Sequence, residues 1–139
     1  MSYDVTVRES TIRIKKEFVK SAIESIHDYM ETHKLAYCNE FNMEDIDFNN
    51  ENEGDENTWS PIEIFDECLN LYCCYREGYL FINSLNYESL GDENIIFDII
   101  AEFCEDGSYM EFCGGDGQLF RYIIKENRCI EQQPKLIWE

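Results

Sequence analysis

The stretch "SYMEFCGGDGQLFRYIIKENRCIEQQPKLIWE", Ser108 to Glu139, decides how the chain folds. It reads as a run of strands separated by two turns. Gly114, Gly115 and Gly117 with Asp116 supply the positive φ values of a first hairpin turn, and "KEN" after Ile124 makes a second. A meander of three strands results, with a short fourth at "KLIWE". The glycine-rich turn joins two strands and has neither a helix N-terminus nor a Lys where a phosphate cradle needs them.

Working back from this meander, helical and strand periods alternate. "SLGDENIIFDIIAEFCEDG" places Ile96, Ile99, Ile100 and Phe103 on one helix face, with Gly107 as the stop. "YLFINSL" is nearly continuous in apolar character, as in a central strand covered on both sides. In "SPIEIFDECLNLYCCYREG", Ser60 with Glu63 is a capping box and Pro61 sits in the first turn. Phe65, Cys68, Leu69, Tyr72 and Cys73 then line one helix face, and Gly78 ends it. "KEFVKSAIESIHDYMETHK" carries a helical stripe of Phe18, Val19, Ala22, Ile23, Ile26 and Met30, which leaves His27 and His33 facing solvent. "YDVTVRESTIRIK" reads as two short strands or one bent strand.

The expected architecture is α+β: three helices packed on one face of a mostly antiparallel sheet, in a single domain over residues 1–139. The crossover from "YLFINSL" through the third helix to "SYMEFC" would make that strand pair parallel, or neighbouring with one strand between. The repeated "GDEN" and "IFD", at 54–57 and 64–66 and again at 91–94 and 96–98, leave an ancestral helix-strand duplication open.

A chain of 139 residues that is 44% hydrophobic, with nine Phe and nine Tyr, is long and apolar enough to fold without metals or disulfides, despite a net charge of −19. No apolar run approaches the ~18 residues of a membrane span, and the start lacks a signal pattern, so a cytoplasmic protein is expected. The seven cysteines form no C-x-x-C pair and lie far in sequence from the two histidines, which argues against structural zinc. Cys68, Cys104 and Cys113 read as reduced core thiols.

Charge partition is the most informative feature. Residues 35–118 hold twenty-one Asp and Glu against a single Arg76, whereas both flanks are close to neutral. The acidic loop at about 40–59 concentrates this excess: "EDIDFNNENEGDENTW", Glu44 to Trp59, has seven carboxylates and no Lys or Arg. Clustering of this kind argues for a one-sided field rather than general solubility. With Asp45 at position 1 of an EF-hand loop, Asp47, Asn49, Glu51, Glu53 and Glu56 fall in register, but Asn50 stands where the sharp bend needs glycine. Bound calcium is therefore the weaker reading. There is no serine elbow, metal-ligating histidine pair or nucleotide loop, and carboxylate pairs such as Glu63 with Asp66 or Asp98 with Glu102 read as solvated helix faces. Neither an enzyme nor a cofactor is expected.

The same charge disfavours direct nucleic-acid binding, and favours binding what normally binds nucleic acid. Carboxylates on a rigid domain would occupy a basic channel as a decoy, with aromatic anchors from Tyr37, Phe41, Phe48 and Trp59. The candidate partner-binding residues are Asp45, Asp47, Glu51, Glu53, Asp55, Glu56, Trp59, Asp92 and Glu93. In size, charge and lack of catalytic motifs, the chain resembles small acidic inhibitors of phages and mobile elements, including anti-CRISPR proteins and DNA mimics. That resemblance implies a basic partner such as a CRISPR effector nuclease and assigns no residue roles. The alternatives are an immunity protein against a basic nuclease toxin and a structural or calcium-binding module.

Overall fold

In a computed structural model, residues 3–86, 89–135 and 138 are described. The elements run β1 (Tyr3–Ser10), β2 (Arg13–Lys15), α1 (Val19–Met30), α2 (Pro61–Glu63, continued by a π-helical segment Ile64–Cys68), β3 (Leu71–Arg76), β4 (Tyr79–Leu85), β5 (Ser89–Leu90), α3 (Glu93–Ile100), β6 (Tyr109–Gly114), β7 (Leu119–Lys125) and β8 (Arg128–Gln132). The class is α+β, and the expected three-strand meander is β6–β7–β8. At its second turn Glu126 and Asn127 both take positive φ, the type I′ arrangement that matches strand twist. At the first turn Gly117 alone among the glycines does so. The fourth strand expected at "KLIWE" falls on Leu136, Ile137 and Glu139, which lie outside the described residues.

The strands form two antiparallel sheets rather than one, in the orders β5-β1-β6-β7-β8 and β2-β4-β3. What joins them is the bend between β1 and β2. There the Thr11 N–H donates to Tyr109 O of the larger sheet (2.7 Å), while the Ser10 hydroxyl donates to Ile82 O (2.6 Å) and Ile82 N–H to Ile12 O (2.9 Å) in the smaller. One bent strand thus serves both sheets, as in orthogonal packings where a strand turns a corner. Strands β4 and β6 lie in different sheets, so the expected parallel or near-neighbour pairing does not occur.

Helix α1 follows its predicted stripe: Val19, Ala22, Ile23 and Ile26 are buried, although Phe18 is 41% exposed. The second helix is much shorter than its periodicity suggested. Its capping box forms as expected, Ser60 N–H donating to Glu63 Oε1 (3.0 Å) and Glu63 N–H to Ser60 Oγ (3.4 Å). The helix then widens into a π turn, closed by Leu69 N–H to Ile64 O, and stops at Asn70 in the left-handed region. Asn70 takes φ +60, which its short side chain tolerates better than most, and its buried amide donates to the Tyr37 carbonyl, 33 positions back along the chain. "LYCCYR" is consequently the strand β3, and Gly78, with Glu77, turns a hairpin into β4 instead of ending a helix. The two "IFD" segments therefore belong to unlike elements, a π turn and a regular helix, and the duplication reading loses its structural basis.

The core lies between the sheets and the helices. Phe112 is fully buried and stacks on Phe120 at 4.9 Å, with Tyr122 edge-on at 5.0 Å, and Phe97 of α3 meets Tyr122 at 6.0 Å. Among the described residues no helix is long and apolar enough to cross a membrane.

Candidate functional site

The acidic loop is a built element. At its ends Ile46 and Trp59 form a parallel bridge, with Trp59 N–H donating to Asp45 O and Asp47 N–H to Trp59 O, both at 2.8 Å. Between them the Asp and Asn side chains organise their own backbone: Asp47 Oδ1 accepts from Asn49 N–H (3.0 Å), Asn50 Oδ1 from Asn52 N–H (2.9 Å) and Asp55 Oδ1 from Asn57 N–H (2.9 Å). The tip is tied back to α2, where the Gly54 N–H donates to the same Glu63 carboxylate that completes the capping box. A Cβ at position 54 would sit 2.6 Å from Glu63 Oε1 and closer still to the Thr58 carbonyl, so this contact requires glycine.

Fixing the backbone turns the side chains outward. Asp45, Asp47, Glu51, Glu53, Asp55 and Glu56 are all exposed. Among the described residues, Glu51 alone of these six pairs with a cation, Lys16 Nζ at 2.7 Å. Asp55 is held below the usual carboxylate range by the Asn57 N–H and by the Thr58 hydroxyl and N–H, which keeps it charged into mildly acidic solution. Trp59 is half-buried against the core and Phe48 is half-buried beneath Lys20 Nζ at 5.7 Å. Phe41 is half-buried beside the His27 ring, and Tyr37 is 47% exposed.

Two predicted partner residues do not belong to this surface. Glu93 is 3% exposed at the start of α3 and accepts from the Gly91 N–H, and Asp92 accepts from the Ala36 N–H at 2.7 Å. Both pin neighbouring backbone. Glu63 and Asp66 likewise point inward rather than forming a solvated face: Asp66 Oδ1 accepts from Asn86 Nδ2 at 2.8 Å. Asp98 pairs with Arg128 at 2.9 Å. Of the candidate partner-binding carboxylates, those of the loop are thus the ones that stand exposed.

Burial holds the Glu93 carboxyl above the usual range, outweighing its hydrogen bonds. The folded protein therefore takes up this proton at a higher pH than the unfolded chain, whose glutamates titrate near ~4.3. In that window stability contributed by Glu93 rises as pH falls. Glu93→Gln, which keeps an acceptor for Gly91, is expected to raise the neutral-pH melting temperature and to flatten its rise on acidification. Asp98 behaves oppositely. Burial alone would raise its pKa, but the Arg128 hydrogen bond, the Cys129 N–H and the Arg128 charge together lower it, so its contribution is lost only as pH falls below the unfolded aspartate value of ~3.9. Thermal melts from pH 7 to 3 check both.

A group that sequence reading set aside is His27 with Asp28 and Glu31, whose ligand atoms lie within 4.8 Å of one another. His27 is half-buried, with Nδ1 3.5 Å from Glu31 Oε1, an i, i+4 pair. That spacing was the available signal. The described cysteines are free, and burial pushes the Cys68 thiol up to about 11 and Cys38, Cys104 and Cys129 to about 12, leaving these four poor nucleophiles at neutral pH. Compared with known proteins, the chain matches no family model, no curated sequence and no solved structure.

Proposed function

We propose that the protein is an acidic inhibitor acting in the cytoplasm, which binds a basic nucleic-acid-binding protein, such as a CRISPR effector nuclease, and blocks its nucleic-acid channel. The observation that carries this reading is the loop at 44–59. Its exposed carboxylates project from a backbone fixed at both ends and at the tip. A flexible acidic segment would have to be ordered on binding. A fixed array of negative charge meets a basic groove without that entropic cost.

Decoy binding of this kind has a specific signature. The inhibitor and double-stranded DNA compete for one site, and association slows steeply as salt screens the attraction. The test is a kinetic binding measurement on purified effector nucleases at several salt concentrations, with and without a DNA competitor. Mutually exclusive binding with a steep salt dependence supports the reading. A ternary complex containing DNA, or an association rate indifferent to salt, would sink it. Recovery of a toxin nuclease instead, with the same competition, would keep the chemistry and favour the immunity role.

A further inference from the structure

We propose that a second site, of opposite charge, lies beside the acidic loop and binds a nucleoside polyphosphate. A cleft of about 630 Å³ opens between the β3–β4 turn, the approach to α1 and the loop, lined among others by three lysines, Lys15, Lys16 and Lys20, one carboxylate, Glu17, and the rings of Phe48 and Tyr79. Its volume lies in the range of small-molecule sites, roughly 300–1,000 Å³. Three of the eleven cations of a chain with net charge −19 meet there.

The elements force this meeting. The end of β2 pairs Lys15 with Tyr79 across the sheet, and the Lys16 N–H donates to Gly78 O at 3.0 Å, so the turn and the lysines share one edge. One helical turn later Lys20 leans back over Phe48. Lys16 and Lys20 both reach residues of the opposite wall, which places their ammonium groups across the cleft. Among the described residues neither Lys15 nor Lys20 has a carboxylate partner. Lys16 already holds one anion, the Glu51 carboxylate of the loop itself.

A single carboxylate uses one of the three ammonium groups. A polyphosphate, with several charges spaced along a short chain, would engage all three and displace Glu51. Phe48 and Tyr79 provide the apolar surface for an aromatic base, and Arg13, 5.4 Å from the Tyr79 ring, extends the positive side. The acidic bulk of the protein does not forbid this, because at physiological ionic strength its field decays over about 8 Å. The site is independent of the inhibitor reading, since it uses Glu51 only as a competitor.

The test is the fluorescence anisotropy of N-methylanthraniloyl-ATP titrated with the full chain, with ATP and tripolyphosphate as displacers. Saturable binding is expected, displaced better by ATP than by tripolyphosphate. Lys16→Gln and Lys20→Gln should each weaken it by about tenfold or more, the loss of one charge-assisted contact. Lys34→Gln, outside the cleft, should leave it unchanged. Glu51→Gln should tighten binding, because it removes the internal competitor. Absence of saturation by about 1 mM protein, an affinity well below that of typical specific sites, would overturn the proposal. So would tripolyphosphate displacing as well as ATP, or lysine variants equal to the parent.

Discussion

Phe112→Ala is expected to destabilise the fold by about 3–5 kcal/mol, and to lower the urea midpoint without changing the denaturant slope. The ring is fully buried at the crossing of two aromatic contacts, one stacked on Phe120 and one against the edge of Tyr122. Its strand is held by β1 on one side and β7 on the other, so the backbone has little room to close the hole. Retained cavity volume is what separates the costly truncations from the mild ones. Domains of this size are stable by only about 5–15 kcal/mol. Loss of this one ring therefore removes a large share of the total. Phe18→Ala is the internal comparison. That ring is 41% exposed, and its truncation should shift stability by no more than roughly 0.5 kcal/mol.

Replacing Asp45, Asp47, Glu51, Glu53, Asp55 and Glu56 by their amides is expected to slow association with a basic partner by roughly tenfold to a thousandfold at low salt. The amides retain the side-chain oxygens that accept from Asn49, Asn57 and Thr58, so the loop keeps its shape while losing its charge. The change should appear in the on-rate and shrink as salt is added. A matched variant separates local field from net charge: amides at Glu24, Asp28, Glu77, Glu102, Glu126 and Glu131 remove the same six charges from other exposed positions. If both variants associate equally slowly, the loop is not the interface.

Helix α1 and the C-terminal meander were legible because each buries one face and so writes its period into the sequence. The segment after Cys68 was not. Leu69, Tyr72 and Cys73 fit a helical spacing, but Tyr72 is 48% exposed while Leu71 is fully buried, as alternation on a strand requires. The deciding residue was Asn70, whose left-handed conformation is not announced by any period. The division into two sheets was hidden for a different reason. It depends on which strands pair, and β1 pairs with β6, far along the chain. In the loop, exposure followed directly from composition. The burial of Glu93 did not, because an acidic residue in the first turn of a helix normally faces water and complements the dipole there.

The bent strand that serves both sheets also sets a timetable for the chain. Arg8 of β1 meets Glu111 of β6 across 103 positions, and Ser10 meets Ile82 across 72. During synthesis the N-terminal strands emerge first, yet their larger partner sheet does not exist until the meander has been made. At about 5–20 residues per second, the wait is roughly 5–20 s. Val5, buried at the end opposite Gly114, passes that interval without its final neighbours. The meander, whose strands pair with their neighbours in sequence, is thus a template that can form locally before β1 closes onto its edge.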